Sequence, residues 1–290
     1  MIFSQSTIQF CGNVLYSEKN SFIDSLFCTN IQTGGSFFMF RFILCIFIVV
    51  FYLVVTIPIL IVEWIIGKFK PEVKSRSCLA IVLWSFGWLI RIAGTKVIAI
   101  GEENIPTDTP VLYIGNHRSY FDIILTYVRV PRLTGYIAKK EMLKWPLLRT
   151  WMKNLHCLFL DRENVKEGIK TILTAIDKIK HGISICIFPE GTRNREADTF
   201  LPFHDGSFKI AEKSGVPVIP MTIINSAAIF EDHFPKVRPA TVIIHYGKPV
   251  YIKDLDKEDR KNIGSYFQNL ISETYFRDKE QYADVIASGK

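Results

Sequence analysis

Pro110-Val111-Leu112-Tyr113-Ile114-Gly115-Asn116-His117-Arg118-Ser119-Tyr120-Phe121-Asp122 is the stretch that decides how this chain is read. Its first half is a short apolar run that predicts a buried strand ending at the histidine. Ile123-Ile124-Leu125-Thr126-Tyr127 then begins a helical pattern. Positions five apart on a continuous helix face different ways, so His117 and Asp122 meet only if the chain turns between them. Ser119 is placed to cap the helix, which puts Asp122 in the first turn and His117 just before it. The aspartate can then accept from one ring nitrogen, fix the tautomer and leave the other nitrogen to take a proton. This is the base and orienter of a hydrolase triad without the serine, so the hydroxyl is left for a substrate to supply. An isolated His–Asp pair is more often a structural cap, and the rest of the chain has to decide between the two.

Outward from this turn, β-rich runs occur at Val97–Ile100, Val111–Ile114, Leu133–Ile137, Cys157–Leu160, Ile183–Phe188, Val218–Ile224 and Thr241–Tyr246. Helical patterns fall at Phe121–Tyr127, Val165–Lys180, Ser207–Ser214 and along the charged stretch Lys257–Phe276. Alternation of this kind predicts an α/β fold with a mixed, largely parallel sheet flanked by helices. No internal repeat or low-complexity linker divides it, so residues 94–290 read as one catalytic domain.

The 290 residues are 49% hydrophobic and 13% aromatic, and the mean hydropathy of +0.20 is too apolar for an ordinary soluble enzyme. The source is upstream. Phe42 to Val62 contains no charged residue and is long enough to span a bilayer as a helix, with Pro58 kinking it near one end. Cys78 to Ile90 is a second apolar stretch, too short to span before Arg91 and better read as an interfacial or re-entrant helix with Trp84 and Trp88 at headgroup level. Lys68, Lys70, Lys74 and Arg76 place their end of the first segment in the cytoplasm by the positive-inside rule. Residues 39–93 are therefore expected to form a helical membrane module. Residues 1–38 lack the plan of a signal peptide and read as an extension preceding a natural start at Met39.

The net charge of +7 suits an anionic partner. No zinc-finger, recognition-helix or ribonucleoprotein pattern accompanies it, so nucleic acid ranks last. Cys11, Cys28, Cys45, Cys78, Cys157 and Cys186 form no C-x-x-C pair, and most lie among apolar neighbours. They read as buried thiols rather than a zinc site or a disulfide framework, and no metal is expected.

Phe188-Pro189-Glu190-Gly191-Thr192-Arg193 follows the Ile183–Phe188 run at its carboxyl edge, the edge where α/β sheets bind ligands. Gly191 permits a tight turn, Thr192 offers a hydroxyl, and Arg193 offers a planar fork suited to phosphate. Two further stretches are Cys157-Leu158-Phe159-Leu160-Asp161-Arg162 and Val216-Pro217-Val218-Ile219-Pro220-Met221. These four blocks, in this order after an apolar N-terminal segment, resemble the glycerolipid acyltransferases, in particular the 1-acyl-sn-glycerol-3-phosphate acyltransferase family. The resemblance covers roughly residues 96–251. It implies His117 as general base, Asp122 as its partner, Arg162 and Arg193 as phosphate ligands, and Glu190, Gly191 and Thr192 as the acceptor-binding turn. It also implies that Pro220 shapes the acceptor or acyl site.

One position departs from the pattern: the second block usually opens with glycine, and here His156 stands there. Lys139, Lys140 and Lys209 are basic residues near the blocks that read equally well as solvated surface. The resemblance implies a membrane enzyme on the cytoplasmic face that moves an acyl group from acyl-CoA or acyl-acyl carrier protein to a lysophospholipid acceptor, with no cofactor. Oxyanion donors are expected among backbone amides near Gly191 or the His117 turn. Rival readings are acylation of another lysolipid or of glycerol 3-phosphate, and a catalytically silent lipid-binding membrane protein.

Overall fold

A computed structural model describes residues 36–288. The expected N-terminal extension, with Cys11 and Cys28, lies outside the described residues except for its last three, which open the first helix.

The seven β-rich runs are the seven strands of one sheet: β1 (Lys96–Ile100), β2 (Leu112–Gly115), β3 (Thr134–Lys139), β4 (Leu158–Leu160), β5 (Ser184–Ile187), β6 (Val218–Ile224) and β7 (Thr241–Tyr246). Their spatial order is β1-β7-β6-β2-β5-β3-β4. Every pairing is parallel except β6 with β7, so the mixed, largely parallel sheet is as expected. Strand side chains alternate between faces. Leu112, Ile114, Ile185 and Ile187 point to one side, where α6 (Val165–Lys180), α7 (Lys209–Ser214) and α9 (Ile263–Gln281) cover them. Tyr113, Cys186, Ile219 and Met221 point to the other, under α4 (Phe121–Tyr127), α5 (Pro146–Asn154) and the N-terminal helices. The helix α5 had no counterpart in the sequence reading. The charged C-terminal stretch is broken at Asn262 into α8 (Lys257–Lys261) and α9.

The apolar N-terminal run is not one helix. α1 (Ser36–Val55) stops at Thr56, and α2 (Ile57–Phe69) starts with Pro58 in its first turn, where the missing N–H costs nothing. Thr56 is held in place: its Oγ1 donates to the Tyr52 carbonyl at 2.7 Å and accepts from Trp151 Nε1 of α5 at 3.1 Å. The second apolar stretch is longer than expected, because α3 runs from Pro71 to Ala93 and carries Arg91 within it. Both α1 (residues 38–55) and α3 pass a length-and-hydropathy test for a membrane span. Their packing is that of a cover on the sheet. At one end of α3, Ser75 Oγ bonds His156 Nε2 at 2.9 Å; mid-helix Phe86 stacks edge-on to Tyr127 at 5.9 Å; Ala93 leads into β1. Cys78, Leu79, Val82 and Ala93 share one core with β2, α4 and α5, so the expected boundary at residue 93 divides a single hydrophobic core. α1 lies along the same face: Phe42 stacks on Phe230 at 5.5 Å, and Tyr52 meets Trp151 in a tilted contact at 5.6 Å. Glu63, the buried residue of α2, accepts from Ser77 Oγ and fastens α2 to α3.

Candidate active site

The site follows from the strand order. β2 and β5 are adjacent and parallel, with Ile114 opposite Ile187, so the segments leaving their carboxyl ends emerge side by side. One begins Asn116-His117, the other Phe188-Pro189-Glu190. Asn116 anchors the first. Its amide exchanges two hydrogen bonds with the backbone of Ile223 in β6, donating to the carbonyl and accepting from the N–H, each at 2.8 Å. The backbone of His117 is then gripped from both sides by the second segment. Its N–H donates to Glu190 Oε1 at 2.8 Å, and its carbonyl accepts from Asn194 N–H at 2.8 Å.

His117 Nδ1 lies 2.8 Å from Asp122 Oδ2, and the same oxygen accepts from the N–H groups of Arg118 and Ser119 at 2.8 Å each. Three donors converging on one oxygen of a fully buried carboxylate fix the loop and the ring together. Ser119 Oγ accepts from Phe121 N–H at 3.0 Å, but the residue at the N-cap of α4 is Tyr120 rather than the expected Ser119. The imidazole lies flat on Phe188, with ring centroids 4.3 Å apart. Its side chain is 14% exposed, and Nε2 has no hydrogen bond among the described residues. Nδ1 is thus engaged by Asp122 while Nε2 is left open, the arrangement a general base would need.

Glu190 is 4% exposed, and its second oxygen accepts from Leu201 N–H at 3.2 Å. Both oxygens brace backbone. Burial pushes its carboxyl up to about 7, against the backbone N–H groups of His117 and Leu201, which favour the charged form. Gly191 adopts φ 72°, the left-handed conformation that glycine takes without cost. A Cβ at Gly191 would lie 3.7 Å from Arg162 Cζ, which brings the arginine after β4 to the turn after β5. Thr192 is exposed. Arg193 stacks over the Tyr120 ring at 3.5 Å and pairs with Glu231 at 3.1 Å.

Pro220 is buried within β6 opposite Ile114. An interior strand tolerates a proline there because the β6–β7 register shifts by one residue between Met221↔Tyr246 and Val218↔Val250, a β-bulge. The Pro220 carbonyl accepts from Gly247 N–H at 2.8 Å, so its missing N–H would have faced the bulge too. Of the amides expected as oxyanion donors, those of His117, Arg118, Ser119 and Gly191 all donate within the protein.

His156 has φ 61°, the conformation a glycine would take at this point. It bridges Ser75 of α3 and Lys178 of α6, and burial, with the charges of Lys178 and Lys74, lowers its pKa to about 4. It is a neutral fastener outside the His117 turn. Lys140 pairs with Asp161 at 3.0 Å and Lys209 with Glu212 at 2.7 Å. Cys45, Cys78, Cys157 and Cys186 are free and buried, and no cluster of metal-ligating side chains occurs among the described residues. Glu231, which binds both the His117 turn and Arg193, was missed from sequence: nothing in Phe230-Glu231-Asp232-His233 has a period or spacing that marks it.

The histidine–aspartate pair, with Arg162 at the Gly191 turn and Arg193 on Tyr120, fits an O-acyltransferase, and comparison with known proteins shows that class. The acyltransferase family model matches residues 96–224. A 1-acyl-sn-glycerol-3-phosphate acyltransferase of Borreliella burgdorferi is 30% identical over 199 residues, 69% of this chain and 76% of its own length. One from Haemophilus influenzae is 31% identical over 204 residues, 68% and 82% of the two chains. The crystal structure of the 1-acyl-sn-glycerophosphate (LPA) acyltransferase of Thermotoga maritima superposes with a TM-score of 0.70 at 23% identity, over 82% of this chain and 96% of that one, and shares the fold. The chain belongs to the 1-acyl-sn-glycerol-3-phosphate acyltransferase family.

Proposed function

We propose that this enzyme transfers a fatty acyl group from a thioester, on coenzyme A or acyl carrier protein, to the sn-2 hydroxyl of 1-acylglycerol 3-phosphate, giving phosphatidate for phospholipid synthesis. The observation that carries it is the Nε2 of His117, open while Nδ1 is fixed on Asp122. That nitrogen takes the hydroxyl proton as the oxygen attacks the thioester carbonyl, and Asp122 stabilises the imidazolium. The tetrahedral intermediate collapses with cleavage of the C–S bond, and the imidazolium returns its proton to the departing thiolate. An ester and a free thiol result, without an acyl-enzyme and without a cofactor. Arg162 and Arg193 supply the charge that holds the acceptor phosphate next to the Gly191–Thr192 turn.

The acceptor and product keep their chains in a leaflet, and burying each methylene is worth about 0.8 kcal/mol, so a site at the membrane surface spares their extraction. α1 and α2 supply the contact, with Phe47, Phe51 and Trp64 among their exposed residues. α1 touches the catalytic domain at Phe42 and again at Thr56, about 21 Å apart along a helix. Such lengthwise packing favours helices lying in one leaflet over a perpendicular span. The Lys68–Arg76 cluster lies beside Ser75, which contacts the catalytic domain, and the positive-inside rule supports a cytoplasmic position for the domain in this reading.

Purified full-length protein in vesicles, offered one labelled acyl donor and a panel of lysophospholipids and glycerol 3-phosphate, tests the acceptor. 1-Acylglycerol 3-phosphate should give the highest kcat/KM. Product formed only from another lysolipid or from glycerol 3-phosphate overturns the assignment.

A further inference from the structure

We propose that Glu231 is a positioning residue for acyl transfer, coupling the turn that carries His117 to the arginine that receives the acceptor. Glu231 sits in a short 3-10 turn after β6, far in sequence from both parts it binds. Oε2 accepts from Ser119 Oγ at 2.6 Å, and Oε1 accepts from Tyr120 N–H at 2.8 Å and from Arg193 Nη1 at 3.1 Å. Ser119 is fully buried and its own N–H is one of the three donors on Asp122 Oδ2. A displacement of Ser119 therefore reaches the orienter directly. On the other side, Arg193 is held flat over the Tyr120 ring, the residue whose N–H Glu231 also holds. A guanidinium on a flexible stem loses side-chain freedom when it binds phosphate. With Glu231 below it and Tyr120 beneath its face, that freedom is already lost before the acceptor arrives.

One carboxylate thus sets two things: the geometry of the base and the geometry of the phosphate contact. The second limb rests on the proposed function, in which Arg193 meets the acceptor phosphate; the first limb depends only on the His117 turn.

The two limbs separate in kinetics. Glu231→Ala in the full-length enzyme should lower kcat about tenfold or more and raise the acceptor KM several-fold, with the donor KM unchanged; tenfold is the scale of one lost charge-assisted hydrogen bond. Glu231→Gln keeps an acceptor oxygen for Ser119, so kcat should largely recover while the acceptor KM stays raised. Glu258→Gln, an exposed carboxylate of α8 away from the His117 turn, should act like wild type. In a double-mutant cycle, Glu231→Ala should raise the acceptor KM far less in an Arg193→Ala background than alone. A Glu231→Ala enzyme that is less heat-stable yet keeps wild-type kcat and both KM values overturns the proposal, and full additivity with Arg193→Ala overturns its second limb. If Arg193→Ala alone leaves the acceptor KM unchanged, it is the phosphate assignment that fails, and the kcat of Glu231→Ala and its recovery in Glu231→Gln still decide the first limb.

Discussion

At the scale of single residues, the site is a set of backbone clamps with few free side chains. Asp122→Asn places an amide donor among the N–H groups of Arg118 and Ser119 and the Nδ1–H of His117. It should cut kcat by about 10²-fold or more through loss of the ring's orientation, measured with both substrates saturating. Arg162→Ala and Arg193→Ala should each raise the acceptor KM about tenfold, the equivalent of roughly 1.5–3 kcal/mol for a charge-assisted contact, with little change in donor KM. Glu190 gives a pH signature. Its carboxyl is raised by burial from 4.5 to about 7, so the stability it contributes is complete below pH 4.5 and is lost as pH rises through 7. Relative to Glu190→Gln, the wild type should lose stability on going from pH 4.5 to 7, by at most about 1.4 kcal/mol per unit. Unfolding midpoints across that range in detergent check this, and parallel curves for the two proteins would refute it.

At the scale of elements, the sheet was legible because each strand is a short apolar run bounded by polar turns. The His117–Asp122 contact was legible because its residue types and spacing leave little choice. Two features were not. The kink expected at Pro58 is present, but the break falls at Thr56, whose position is fixed by a tertiary bond from Trp151 that hydropathy cannot record. α3 reads as short because Arg91 interrupts its apolar stretch, whereas the helix continues to Ala93, buried at the start of the sheet. His156 shows the reverse case. Its departure from the pattern was visible, but its cause, a left-handed backbone, was not. A non-glycine residue in that conformation costs roughly 1–2 kcal/mol. His156→Ala keeps that cost and loses the bond to Ser75, so it should destabilise the protein; His156→Gly relieves the cost and should lie closer to wild type. Because the wild-type imidazole is held at about pKa 4, its contribution is present above pH 6.5 and lost as pH falls below it. Thermal midpoints of the three proteins at pH 7.5 and pH 5 give the order, and an alanine variant more stable than the glycine one would reverse it.

At the scale of the whole molecule, the enzyme is a sheet roofed on one side by apolar N-terminal helices, the proposed membrane contact. α3 belongs to the core, so membrane affinity is better altered on the exposed side of α1 than by removing residues 1–93. Phe47→Glu with Phe51→Glu, both more than half exposed, should leave the fold intact and sharply reduce sedimentation with phospholipid vesicles. Undiminished sedimentation would place the contact elsewhere. In the proposed mechanism the chemistry rests on a single nitrogen, the open Nε2 of His117. The most direct measurement is therefore the turnover of His117→Ala in vesicles containing 1-acylglycerol 3-phosphate and a labelled acyl thioester. Phosphatidate formation should fall by about 10²–10⁴-fold or more, with the unfolding midpoint and the acceptor KM near wild type. Near-normal turnover with alanine at position 117 would contradict the account.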